Sequence, residues 1–108
     1  MIDLNKISNP LVRDAISALQ DGNKEKWFEL FEDNATLFDD GRQISFRSFF
    51  QTAVGHERFT SIDKIENNGL NIFGHFHSDQ WGDFKTFFKF SISGSNKINK
   101  LEIGQAKY

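Results

Sequence analysis

Residues 75–84, HFHSDQWGDF, place two histidines, two aspartates and a tryptophan within ten positions. Imidazoles titrate near neutral pH and carboxylates accept protons, so the stretch carries groups for acid–base chemistry. His75 and His77 are two apart and share a face if the stretch is a strand. The turn that follows decides which face. A two-residue turn at Trp81–Gly82 or Gly82–Asp83 sets both imidazoles beside Phe84, Thr86, Phe88 and Phe90, whereas a three-residue loop sends them outward. His75, His77 and Asp79 also alternate as the ligands of one metal ion would. No further ligand accompanies them except His56, and spacing alone is weak support. The expectation is a site without metal or cofactor.

A second candidate is Asp39, in LFDDGR. It reads either as a residue of the Asp39–Asp40–Gly41 turn or as a carboxylate at the mouth of a cavity, acting as general base.

These groups need elements to position them. Asn9 and Pro10 open a helix whose stripe is Leu11, Val12, Ala15, Ile16 and Leu19, and Gly22 ends it. Asn23 caps a second helix, KEKWFELFEDN, with Trp27, Phe28, Leu30 and Phe31 on its apolar side. Residues 35–38 read as a short strand. Ser45 caps a third helix whose Phe46, Phe49, Phe50, Ala53 and Val54 form one face, with Gly55 as its stop. The second half reads as sheet. RFTSIDKIE and LNIFGHFHS are candidate strands, and FKTFFKFSI alternates most clearly, with Phe84, Thr86, Phe88, Phe90 and Ile92 on one side. SGSN turns the chain into KINKLEIGQA, where Ile98 breaks the alternation as a bulge would. Helices first and a meander of strands second make the fold class α+β, with N-terminal helices packed in a strongly curved antiparallel sheet.

Composition narrows the function. The chain has 108 residues, which fits one domain over 1–108. It holds 13 Phe and two Trp, so rings of about 150–250 Å² each must build the core. There is no Cys, which excludes disulfides and thiolate chemistry. Net charge is −2 and the lysines are scattered, which speaks against a nucleic-acid partner. No run of 18 apolar residues suggests a membrane span, and the N-terminus has no signal-type stretch, so the expected location is cytoplasmic.

The element order, with DGNKEKWFELFEDNATLFDDG and FKTFFKFSISGSNKINKLEIGQA, resembles the nuclear transport factor 2-like superfamily, in particular its SnoaL-like branch. The resemblance covers nearly the whole chain. It implies a cone-shaped α+β barrel, a sheet folded around a helix with a pocket at its open end, and a tendency to form homodimers. The family holds isomerases, cyclases, dehydratases and carriers without chemistry, so fold alone does not set activity. Ketosteroid isomerases of this fold use an Asp base and an oxyanion hole of Tyr and protonated Asp. The resemblance sets the base on Asp39, but the two donor positions fall near Ala15 and Phe88, which donate no hydrogen bond. Losing one such donor costs about 10²–10³ in rate, so steroid-type isomerisation is not expected. Scytalone-dehydratase-like members combine histidines with an Asp, which keeps His75 and His77 in view.

Two readings follow. In one, Asp39 with His75 or His77 moves a proton on an apolar, oxygenated small molecule, an isomerase-, dehydratase- or cyclase-type reaction, inside walls that include Trp27, Phe31, Phe50, Trp81 and Phe88. In the other, the same pocket holds a ligand without chemistry. Phe87 faces away from the interior between Lys85 and Lys89; it reads either as one tolerated exposed ring or, as the sheet-to-sheet dimers of the resembled family imply, as the seam of a homodimer.

Overall fold

A computed structural model of the chain describes residues 2–108. A 3₁₀ turn at Leu4–Lys6 precedes helices α1 (Pro10–Asp21) and α2 (Lys24–Glu29), strands β1 (Phe31–Asp39) and β2 (Arg42–Ile44), and helix α3 (Phe46–Ala53). Strands β3 (Glu57–Phe59), β4 (Lys64–Glu66), β5 (Asn71–Ser78), β6 (Gly82–Ile92) and β7 (Ile98–Gln105) follow.

The helix ends are those the sequence marks. Asn9 accepts from the amides of Leu11 and Val12, Pro10 takes the first position, and Gly22 closes α1 in the left-handed region at φ 68°. Asn23 caps α2 and Ser45 caps α3. Val12, Ala15, Ile16 and Leu19 bury the inner stripe of α1. The amide of Gln20 bonds both backbone groups of Phe59, at 2.7 and 2.8 Å, and so fixes β3 beneath α1.

The strands form one open sheet in the order β2-β1-β7-β6-β5-β3, with β4 also on β5. Its concave side carries Ile72, Phe76, Phe88, Phe90, Leu101 and Leu37 into the core with the helices. The sheet is mixed, which corrects the antiparallel expectation: β1 runs parallel to β7 and every other pair is antiparallel. It does not close into a barrel either, because β2 and β3 remain edges.

Two local departures share one cause, tertiary pairing that overrides local preference, and one local expectation holds. Helix α2 stops at Glu29 rather than continuing to Asn34, because Phe31 pairs with Ile98 and the Leu30 carbonyl accepts from the Ile98 amide at 3.0 Å. RFTSIDKIE divides into β3 and β4, both held by β5, and residues 60–63 cross over Gly74. A side chain at position 74 would strike the Ser61 carbonyl there. At Ile98 the ladder skips a residue, Ser91 pairing with Lys100 and Ile92 with Ile98, the bulge that the broken alternation indicates.

Candidate functional site

The concave side opens at one end into a cleft of about 390 Å³, lined by Phe49, Phe76, Phe84, Phe88, Ile103 and Trp81 and by the polar Asp39, Glu57, Thr86 and Gln105, with Asp83 at its edge. Beyond Phe49, Glu57 and Trp81 lies a second groove of about 490 Å³.

Asp39 is the last residue of β1, opposite Arg42 on β2 and Ile103 on β7. The turn itself is Asp40–Gly41, both at positive φ, 50° and 87°, the two-residue geometry of a type I′ hairpin. Asp39 is therefore a strand residue on the concave face. Burial pushes its carboxyl above the ordinary aspartate value and the Asp40 charge adds to this, while Arg42 opposes both. The turn is sewn to β7: the Asp40 amide donates to the Ile103 carbonyl at 2.9 Å, and Asp40 Oδ1 accepts from the Gln105 amide. A Cβ on Gly104 would run into that carboxylate and the Phe87 ring.

Glu57 supplies a second carboxylate, which the sequence reading missed. It begins β3 directly opposite Ser78 on β5, and the Ser78 hydroxyl donates to Glu57 Oε2 at 2.9 Å. Burial raises the Glu57 carboxyl above its ordinary value; the Ser78 bond lowers it, the charges of Asp39 and Asp79 raise it further, and His56 lowers it. The available signal was parity: Glu57 is two residues before Phe59, a buried ring, and so shares its face.

The histidines take the outward alternative. Ser78 pairs with Gly82, which leaves a three-residue loop, Asp79–Gln80–Trp81, and Gly82 takes φ 82° as such loops require. His75 then faces Lys85 and His77 faces Asp83 on the convex side. That separates both from the cleft and from Asp39. His77 Nδ1 lies 2.7 Å from Asp83 Oδ1, and its Nε2 lies 3.0 Å from Asp79 Oδ1. The other Asp79 oxygen is 3.1 Å from His56 Nδ1. The Asp83 and Asp79 bonds hold the His77 pKa above the usual imidazole value. His75 Nδ1 meets both Asp63 Oδ2 at 2.8 Å and Ser61 Oγ at 3.1 Å. One nitrogen serving both partners is not the bridging imidazole of a nucleophilic triad. No group of three or more His, Cys, Asp or Glu among the described residues is arranged to hold a metal ion.

Of the five expected ligand contacts, Phe88 and Trp81 line the cleft. Trp27, Phe31 and Phe50 do not. Trp27 lies 4.8 Å from Phe31 and 4.7 Å from Phe50 by ring centroids, and the three form a closed plug where α2 and α3 meet β1. They fill the core because each ring is covered by the next. Trp81, 72% exposed, stands at the hairpin tip on the rim. Phe87 is half-buried on the convex face, with Lys89 Nζ 5.0 Å from its ring. Phe38 and Phe73, also half-buried, carry Lys100 and Lys64 in the same way. The Thr86 hydroxyl donates to the Gly104 carbonyl at 2.7 Å. Ala15 and Phe88 are buried and offer no donor. No helix among the described residues is long and apolar enough to cross a membrane.

No protein-family model and no curated protein matches the sequence. Solved structures do match in shape. A nuclear transport factor 2-like protein of unknown function from Cytophaga hutchinsonii superposes with a TM-score of 0.73 at 12% identity, over 98% of this chain and 92% of that one. A candidate polyketide cyclase from Sinorhizobium meliloti gives 0.74 at 14% identity, over 94% and 98%. The orange carotenoid protein of Anabaena, in a structure binding canthaxanthin, gives 0.70 at 16% identity, over 90% of this chain and 35% of that one. An open curved sheet wrapped on N-terminal helices, shared with these structures over nearly its whole length, makes this chain nuclear transport factor 2-like in fold.

Proposed function

We propose that this chain binds an apolar, oxygenated small molecule in the aromatic cleft and moves a proton on it, with Asp39 as general base and Glu57 as general acid. The observation that carries this reading is the pair of half-buried carboxylates, on different strands, lining one ring-walled cleft and each lifted above its ordinary pKa. Arg42 sits opposite Asp39 and favours its ionised form. Glu57 starts from the higher ordinary value and carries the Asp39 charge against it. Arg42 thus favours the ionised form of Asp39 while the Asp39 charge favours the protonated form of Glu57, the opposition on which the assignment of base and acid rests.

In the step this supports, Asp39 removes a proton from carbon next to a carbonyl. Glu57 gives its proton to the oxygen that gains the electron pair. Return of the proton from Asp39 at another carbon, with the enol proton going back to Glu57, completes an isomerisation; a β-hydroxyl that takes the Asp39 proton leaves as water, the enol proton again going back to Glu57, and completes a dehydration. In that step a protonated Glu57 takes the place of the neutral donors that Ala15 and Phe88 cannot supply. Asp39 keeps the role the sequence suggested, and its partner is Glu57 rather than His75 or His77. The aromatic wall suits a ligand with a flat apolar body.

The test is turnover of a panel of β-hydroxy ketones and enones by wild type, Asp39→Asn and Glu57→Gln. Each substitution is expected to lower kcat/KM by about 10²–10⁴. Rates equal to wild type in both variants would reject the pair.

A second reading, carriage of a ligand without chemistry, is favoured by one observation: the Thr86 hydroxyl in the cleft is already spent on Gly104. The carotenoid-binding neighbour of the same fold agrees with that reading. The assembly we propose for either reading is a homodimer across the convex face at Phe87.

A further inference from the structure

Ser78 is one of only two buried polar residues among those described, 1% exposed. A serine hydroxyl has one proton to donate and two lone pairs to accept with. All three are in use. The proton goes to Glu57 Oε2 at 2.9 Å, and the oxygen accepts from the backbone amides of Gln80 at 3.2 Å and Trp81 at 3.1 Å. One atom thus joins a carboxylate of the cleft to the loop that carries the tryptophan at its rim.

We propose that Ser78 is a positioning residue that couples the protonation state of Glu57 to the stance of Trp81, holding the hairpin tip when Glu57 is ionised and releasing it when Glu57 is protonated. This rests on the reading of Glu57 as the acid of the site. The physical basis is the arithmetic of bonds. A carboxylate is the stronger acceptor for the Ser78 proton, and a neutral acid is weaker. The new O–H of a protonated Glu57 can reach Ser78 only by displacing the Gln80 or Trp81 amide, because both lone pairs are occupied. Proton loss from Glu57 to a bound molecule would then draw the tip into order behind that molecule.

Other charged groups bear on the same carboxylate. Asp39 faces it from β1, Asp79 from the tip and His56 from the turn before β3. Asp40 and Asp83 line the same cleft. Arg58, next along β3, pairs opposite His77 on the other face. The tip is also tied by Asp79, whose amide donates to the His56 carbonyl at 3.0 Å and whose carboxylate lies between His56 and His77. An imidazole contribution must therefore be separated in the test.

The test needs neither ligand nor turnover. The carboxyl carbon of Glu57 and the backbone amide protons of Gln80 and Trp81 are followed by NMR against pH in the whole chain. In wild type the two amides are expected to shift with the midpoint of Glu57. In Ser78→Ala, Glu57 should titrate at higher pH, since a bond to its charged form is gone, and the amides should lose that transition. Ser78→Thr, which keeps the hydroxyl, should restore it. Should Ser78→Ala not fold, Glu57→Gln carries the same question, because its amides must be silent over the Glu57 range. His56→Gln with His77→Gln removes both imidazole contributions and should leave the Glu57-linked transition in place. Amides that ignore Glu57 in wild type, or that still follow it in Ser78→Ala, would overturn the coupling. That failure would leave the Asp39–Glu57 reading standing, since turnover tests it separately.

Discussion

Asp39 and Arg42 face each other as the closing pair of the β1–β2 hairpin, so a cation acting on the cleft's proposed base is held by a two-residue turn rather than by a long loop. The opposition has a sign. Arg42 favours the ionised form of Asp39 against burial and against Asp40. Arg42→Gln is therefore expected to raise the Asp39 pKa, read from its carboxyl carbon by NMR. Any turnover should show its acid limb displaced to higher pH. A displacement to lower pH would mean that Arg42 does not act on Asp39.

Asp39 also bears on Glu57, and the two titrations are linked. Asp39→Asn removes a negative charge that raises Glu57, so the Glu57 midpoint should fall. The stability consequence follows from proton linkage. Both carboxyls bind protons more tightly folded than unfolded. Their unfavourable contribution is absent below the unfolded values and complete above the folded ones, so stability falls as pH rises between them. Glu57→Gln should make that fall shallower in urea melts taken across pH. A steeper fall would contradict a buried, charge-disfavoured Glu57.

His77 carries the opposite sign of effect at the hairpin tip. Asp83 and Asp79 favour its protonated form. Its contribution is fully present below the ordinary histidine value of 6.5 and is lost as pH rises through the raised folded value. Amide exchange at Gln80 and Trp81 should therefore quicken on the alkaline side of that value beyond its intrinsic increase. The Asp83→Asn variant should move the onset to lower pH. A His77 ring titration unchanged by Asp83→Asn would remove the tip clasp.

The plug and the cleft should respond differently to truncation. Phe50→Ala, at a 1% exposed ring stacked on Trp27, is expected to cost about 3–5 kcal/mol in urea unfolding. Phe84→Ala removes a half-buried wall of the cleft and should cost less, while weakening binding of naphthalen-2-ol followed by its fluorescence. Equal losses of stability would erase the distinction between the two ring clusters.

Phe87→Glu sets a charge among the half-buried rings of the convex face. A homodimer seam there predicts conversion to monomer in sedimentation velocity. An unchanged sedimentation coefficient would place any seam elsewhere.

Much of the fold was legible because its signals are local. Asn9, Pro10 and Gly22 mark α1, and the alternation through β6 names its inner face. What escaped depended on partners distant in sequence or on a single residue of loop. Phe31 looked helical beside Trp27 until Ile98 claimed it for β1. The imidazoles of His75 and His77 changed sides because the hairpin closes at Ser78–Gly82. Glu57 was easily passed over because β3 has three residues, so its parity with Phe59 is a single match rather than a run. From sequence Asp39 also reads as part of the turn, but Asp40 and Gly41, both at positive φ, close the hairpin without it and leave it on β1. The three plug rings could not be told from cleft rings, since hydrophobicity marks burial and not which cluster a ring joins.

The parallel seam between β1 and β7 has a consequence for how the molecule comes into being. Asp39 gains its place beside Ile103 only after β7 has docked, although it belongs to the first strand made. A nascent chain halted before β7 could form its helices and the β5–β6 hairpin, yet the wall that carries the proposed base would still be unbuilt. Pairings so remote along the chain slow folding. The complete cleft should therefore emerge late and all at once, rather than growing with the length of chain released from the ribosome.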